Sequence, residues 1–256
     1  MKFSFRLLLW PLIALLIYLL VQTLCGIPMG VATFLNPETD LSIWTGPTLL
    51  ASSIVTSIII LVLPQFGLRR SFSSLGCDRL TAVIAIIATL FTLLASDIVN
   101  EWFDLPNEFE ELFVGMSGTI WGVLSIAIFG PICEEIVFRG GIMKPMLDKG
   151  VNPWIPIFIS AVVFGLIHGN PAQIPFATMV GVVFGIIYYR TRSLIITSLC
   201  HILNNSFSVI LMNVYGEDLD NMTFDNVLGH TGAILMVAIT VVAAVLLLRI
   251  VWRRTA

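Results

Sequence analysis

Cys133-Glu134-Glu135-Ile136-Val137-Phe138-Arg139-Gly140-Gly141 is the stretch on which the reading of this chain turns. It closes an apolar run that begins near Met116. The run is long enough to cross a bilayer, which takes about 20 residues. Acidic side chains at such depth are expensive, roughly 2.5–3.5 kcal/mol for a central Asp on translocon-type scales, and they usually mark function. Here two stand side by side, at the expected inner end of a span.

Composition sets the class around that stretch. Of 256 residues, 57% are hydrophobic and only 11% charged, where a soluble domain carries about 25% charged residues. The expectation is an all-α, polytopic membrane helix bundle, folded as one integral membrane domain over residues 1–256. The net charge of −3 hides an asymmetry. All 13 Lys and Arg fall in five places: Lys2/Arg6, Arg69/Arg70/Arg79, Arg139/Lys144/Lys149, Arg190/Arg192 and Arg249/Arg253/Arg254. Acidic residues collect in the intervening loops, at Glu38/Asp40, from Asp97 to Glu111, and from Glu217 to Asp225. Basic loops face the cytoplasm. The basic residues follow topology and form no basic face, so nucleic acid is not an expected partner. The expected surroundings are the lipid bilayer, with the chain integral to the bacterial cytoplasmic membrane. Cys25, Cys77, Cys133 and Cys200 are scattered without CxxC spacing and read as ordinary small buried residues.

Apolar runs bounded by these charges predict about eight spans with both termini cytoplasmic. They are Leu7 to about Leu24, Thr48–Pro64, Leu80–Ile98, Ser117–Phe138, Trp154–His168, Ile174–Tyr189, Leu194–Val214 and Gly232–Trp252. The first reads as an uncleaved span, because the residues before Cys25 lack the small side chains a signal peptidase needs. Pro28 to Pro47 and residues 215–230 read as outer loops, and Arg139–Pro153 as an inner loop. In the acidic stretch 99–116, Phe109, Leu112 and Phe113 share one helical face, which suggests an interfacial helix or, functionally, a lid over a substrate entrance. Span five is short: 15 residues cover only about 22 Å. His168, just before Gly169-Asn170-Pro171, is therefore placed inside the membrane, near a break.

Few polar groups remain once loop charges are set aside: Glu134, Glu135, Arg139, His168, His201, Asn204 and Asn205. Glu135 and Arg139 are spaced i, i+4 and favour a salt bridge. Glu134 points about 100° away and is left for chemistry. Asn205 follows His201 by four residues and faces the same way; Asn204 is rotated off that face, as a packing or lining residue. These groups form the parts of an acyl-transfer site: a base, a water to activate, and donors for the developing oxyanion. Glu134, His168 and His201 also match a His₂Glu zinc set, although no HExxH pair is present. No Gly-x-Ser-x-Gly elbow supports a serine nucleophile.

Glu134-Glu135-x-x-x-Arg139, Phe164-x-x-x-His168 and His201-x-x-x-Asn205 resemble, in order and spacing, the three motifs of the CPBP family, the CAAX-protease-like and bacteriocin-processing intramembrane peptidases, also called Abi. The motifs fall within a core of about residues 117–214, spans four to seven. The resemblance implies an intramembrane peptidase that cuts a membrane-anchored protein or peptide. It implies Glu134 as general base, His168 as holder of the water or of a zinc ion, and His201 and Asn205 as oxyanion donors. Glu135, Arg139 and Phe164 would support them. It also implies that a short member can act in bacteriocin self-immunity. Two other readings stand beside it: a non-catalytic immunity or scaffold protein using the same helices, and a proton-coupled transporter with Glu134/Glu135 as relay.

Overall fold

The computed structural model describes residues 8–36, 41–103, 105–215 and 223–255, and everything described below lies within them. The basic residues Lys2 and Arg6, and the acidic residues Glu38, Asp40, Asp104, Glu217, Asp218 and Asp220, lie outside the described residues. The described chain is all helical, with no strand. In order the helices are α1 (Leu9–Leu35), α2 (Ser42–Val62), α3 (Arg69–Ser73), α4 (Arg79–Phe103), α5 (Glu110–Ser117), α6 (Ile120–Asp148), α7 (Trp154–Leu166), α8 (Gln173–Thr191), α9 (Leu194–Tyr215) and α10 (Phe224–Arg254). Seven of these, α1, α2, α4, α6, α8, α9 and α10, are long and apolar enough to cross a membrane, and α7 is a shorter apolar helix. This is an integral membrane helix bundle, in keeping with about eight spans. Large apolar side chains lie exposed along α1 (Leu16, Leu20, Leu24) and α10 (Leu235, Ile239, Val242), a pattern that suits lipid and not water.

Several boundaries differ from the sequence reading. Helix α1 runs on through Pro28, expected in a loop, and α2 begins at Ser42 with Pro47 inside it. Within hydrocarbon an unpaired backbone group costs several kcal/mol, so an apolar chain keeps its helix through a proline that a soluble helix would end at. Helix α4 extends to Phe103, and α5 carries Glu110 and Glu111 in its first turn, where the helix dipole favours them. Helix α10 starts at Phe224 but breaks at Gly229 (φ 69°), so its uninterrupted part begins close to the expected Gly232. His230, expected in a loop, is on this helix and pairs with Asp225 at 2.7 Å.

The largest correction concerns α6. The segment Arg139–Pro153 is not a loop: the helix continues without interruption to Asp148 and is 29 residues long. Residues 136–143 are all buried. Glu134 and Glu135 therefore sit near the middle of a long helix. Arg139 looked like the charge that ends a span, but it is neutralised by Glu135 within the helix and gives no reason to stop there. Two segments of α6, Leu124–Phe129 and Ile136–Met143, are wound as π-helix, one on either side of the Glu pair. Such widened turns occur mostly at functional sites.

The chain divides into two compact units. The first comprises Met1–Leu68, Phe109–Lys149 and His201–Glu217. Its helices approach through small residues, the usual means of close packing between membrane helices. A Cβ built on Gly46 of α2 would stand 2.7 Å from the Gly122 nitrogen, and one on Gly141 would stand 2.6 Å from Ala14 Cβ of α1. Trp10 meets Phe66 edge-on at 5.9 Å, and Tyr18 meets Phe138 at 6.1 Å.

The second unit comprises Arg69–Glu108, Gly150–Cys200 and Asp218–Ala256. Its core gathers Ala82, Ala85, Leu93, Val180, Phe184, Ile187 and Ile196. Gly181 lies against Ala161 and Gly185 against Ile157, which brings α8 close to α7. Arg190 donates to the Trp252 carbonyl at 2.6 Å and lies over its ring. Asp78, just before α4, accepts from the Thr81 hydroxyl and backbone and from Arg254. The Thr81 hydroxyl foremost, then its backbone N–H and Arg254, lower this carboxyl to about 2.

Gly141→Val should force α1 and α6 apart, because the added carbons meet a fully buried Ala14. A loss of about 1–3 kcal/mol is expected, as for other overpacked sites. Thermal unfolding of the protein in detergent micelles, with Gly141→Ala as the milder companion, measures it.

Candidate active site

The polar centre of the first unit is built on α6 and the second half of α9. Glu135 and Arg139, one turn apart on α6, form an ion pair with Nη1 to Oε1 at 2.9 Å, and both side chains are completely buried. His201 of α9 joins them, its Nδ1 lying 3.1 Å from the same Glu135 oxygen. A paired carboxylate only accepts, so Nδ1 carries the hydrogen and Nε2 is the nitrogen left for chemistry. That Nε2 stands 3.5 Å from Glu134 Oε2. Glu134 keeps 19% of its side-chain surface, against 4% for His201 and none for Glu135. The two carboxylates thus differ in kind. Glu135 is sealed by a guanidinium and an imidazole, and Glu134 is the one with access.

Asn205, one turn after His201, donates through Nδ2 to the carbonyl of Ile126 at 2.9 Å. Ile126 lies in the first π segment of α6, so this side chain ties α9 to the widened backbone of α6. Asn205 Oδ1 in turn accepts from Asn204 Nδ2 at 2.8 Å. Asn204 is therefore not a mere lining residue, since it orients its neighbour. Lower on α9, Asn213 donates to the Ser117 carbonyl at 2.9 Å and makes a second tie of the same sort.

His168 belongs to the second unit, in the turn that follows α7. Helix α7 ends at Leu166, after 13 residues, and Gly169 takes a positive φ of 62° just past His168. The imidazole Nδ1 lies 2.8 Å from the Phe164 carbonyl, and its ring meets the Phe164 ring edge-on at 5.0 Å. A carbonyl accepts only, so Nδ1 holds the hydrogen, and Nε2 is left as an acceptor or a ligand. Two residues later, the buried Asn170 donates to Asn107 at 2.7 Å. The motif residue Phe164 thus serves His168 with both its backbone and its ring.

A catalytic zinc ion takes three protein ligands and a water. Glu134 Oε2 and His201 Nε2 form a facing pair in the first unit. Among the described residues no group of three or more His, Cys, Asp and Glu side chains is arranged to hold a metal ion. Within the first unit these two side chains supply two of the three protein ligands such an ion takes.

Residues 116–207, which contain all of these groups, match the model of the family described as type II CAAX prenyl endopeptidase Rce1-like. This match agrees with the resemblance to the CPBP family that the three motifs carry. Among the chain's relatives is the Bacillus subtilis (strain 168) protein named "Putative membrane peptidase YdiL", 29% identical over 175 residues, which cover 66% of this chain and 71% of that protein. Another is the "Membrane-embedded CAAX protease MroQ" of Staphylococcus aureus (strain USA300), 26% identical over 147 residues, or 56% of this chain and 59% of that one. No solved structure matches this chain.

Removing one partner from a buried ion pair costs about 3–5 kcal/mol, and replacing both with apolar groups costs far less. Arg139→Met alone should therefore destabilise strongly, and Glu135→Leu/Arg139→Met should recover much of the loss. Unfolding titrations of the two single variants and the double variant measure the coupling between them.

Proposed function

We propose that this protein is an intramembrane endopeptidase that hydrolyses a peptide bond in or beside a membrane-anchored protein segment. The observation that carries this reading is the pairing of an accessible Glu134 with an imidazole, His201, whose far nitrogen is held by a sealed carboxylate. Glu134 takes a proton from water as the water oxygen attacks the scissile carbonyl. Glu135 is unsuited to that task, being committed to Arg139 and His201. By fixing Nδ1, it aims Nε2 at the reacting water and at the proton Glu134 has gained. His168 is proposed as a further acceptor for this water on the strength of its motif, and its hydrogen-free Nε2 suits that role.

The names of the two relatives, a membrane peptidase and a CAAX protease, agree with this reading. Both relatives are bacterial, and the charge pattern favours the bacterial cytoplasmic membrane with both termini inside.

The test is cleavage, in proteoliposomes, of a fluorescent domain joined by a short linker to a single apolar span. General-base catalysis contributes about 10²–10⁴-fold, so Glu134→Gln should lower turnover by that factor. Turnover equal to wild type in Glu134→Gln would sink the assignment. Glu134→Gln retains the size and shape of the side chain, so a fold defect is not the expected cause of a loss.

A further inference from the structure

His168 is carried past the end of its helix, where backbone frays unless it is held. Only two long bonds close the turn, from the His168 nitrogen to the Gly165 carbonyl and from the Gly169 nitrogen to the Leu166 carbonyl, both 3.2 Å. Gly169 then reverses the chain at φ 62°, and a Cβ built on it would meet nothing within 4 Å. The bond to Phe164 sets the rotamer of the imidazole. The turn that bears the imidazole needs a hold of its own. Asn170 supplies one. It is completely buried, whereas His168 is half-buried and Gly169 exposed. Its carbonyl accepts from the Gln173 and Ile174 nitrogens at 2.9 and 3.0 Å, which starts α8. Its Nδ2 donates to Asn107 Oδ1 at 2.7 Å. One residue thus joins the His168 turn both to the next helix and to the stretch between α4 and α5.

Asn107 is itself moored. It follows the end of α4 by four residues, and that end is fastened to α10. Trp102 Nε1 donates to Asp225 at 3.0 Å, and the Phe224 nitrogen donates to Glu101 at 2.9 Å. All of these residues belong to the second unit, as does His168. The bond between the two asparagines is kept at a cost. Asn170 Oδ1 is buried with no hydrogen-bond partner among the described residues. A buried amide oxygen without a donor lowers stability, so its persistence asks for another reason. Asn107 is exposed, and water would take the place of Asn170 there at little loss. Both facts argue that the tie serves geometry more than stability.

We propose that Asn170 is a positioning residue: through Asn107 it fixes the turn that presents His168 Nε2 to the reacting water. The proposal rests on the hydrolytic reading of the site and deepens it. It also gives the acidic stretch 99–116 a fixed part in the reaction, as the mooring of the His168 turn.

The experiment uses the full chain in proteoliposomes with the tethered fluorescent reporter. A small misplacement of a reacting group can cost about 10²-fold. Asn170→Leu keeps the branched shape of the side chain and should lower kcat by about 10–100-fold, with KM changed less than about twofold. Its thermal midpoint in micelles should fall by less than about 3 °C, since Asn107 regains water. In the His168→Ala background the same replacement should change kcat by less than about twofold, because nothing is left to position. Asn107→Ala should repeat the loss seen in Asn170→Leu. Asn107→Asp keeps an oxygen for Asn170 Nδ2 and should restore kcat to within about threefold of wild type. These two variants decide the matter if Asn170→Leu does not assemble or His168→Ala is too slow to read. The proposal is overturned by wild-type kcat in Asn170→Leu and Asn107→Ala, by an equal loss with and without His168, or by Asn107→Asp as slow as Asn107→Ala. Wild-type turnover in Glu134→Gln would remove the hydrolytic reading, and this proposal with it. An inactive Glu134→Gln beside a fully active Asn170→Leu would remove only the role of Asn170.

Discussion

An arginine with no exposed surface, in the middle of a membrane helix, is the constraint on which the rest of this structure depends. Arg139 does not lose its proton at any ordinary pH, so its charge must be answered in place. Glu135 answers it one helical turn earlier, at 2.9 Å. Two full charges sharing a low-dielectric interior need good geometry and further hydrogen bonds to be tolerated. His201 supplies one such bond to the same carboxylate oxygen. The pair therefore acts at three levels. It permits α6 to continue past a charge, it binds α9 to α6, and it fixes which imidazole nitrogen faces Glu134.

The backbone of α6 takes part as well. A π turn carries one more residue per hydrogen-bonded ring than an α turn and leaves backbone carbonyls displaced from their usual partners. In hydrocarbon such a group has to be satisfied from elsewhere in the protein. Asn205 does so for Ile126, and Asn213 does the same for Ser117 where α5 ends. The asparagines of α9 thus work as ties. Position on α1 is set in turn by Gly141, which leaves room for Ala14.

A membrane solvent also accounts for where polar groups do and do not appear. Large apolar side chains cover the outward faces of α1 and α10, and small residues mark the places where helices meet. Ser and Thr make up most of the buried polar side chains, and the ionisable and amide groups of the site answer partners: Glu135 to Arg139 and His201, Asn205 to Asn204 and Ile126, His168 to Phe164. Against this background Glu134 stands apart, as the more accessible carboxylate of the pair.

The amino-acid sequence by itself determined the class of the protein, because apolar length and charge placement are local properties. The runs at Ile174–Tyr189 and Leu194–Val214 match α8 and α9 to within about two residues, and the break after His168 falls where Gly169-Asn170-Pro171 put it. The i, i+4 spacing of Glu135 and Arg139 was likewise enough to foretell their pairing, since a helix alone brings those two side chains together. Where helices end was harder to read. In sequence a charge or a proline reads as an end, whereas in hydrocarbon the helices run on through Pro28 and Pro47, and a buried carboxylate partner lets α6 run on through Arg139. Only the tertiary structure decided that both ring nitrogens of His201 face carboxylates and that Asn205 gives an amide hydrogen to the Ile126 carbonyl. These contacts join residues 66, 67 and 79 positions apart, and sequence spacing carries no information across such distances.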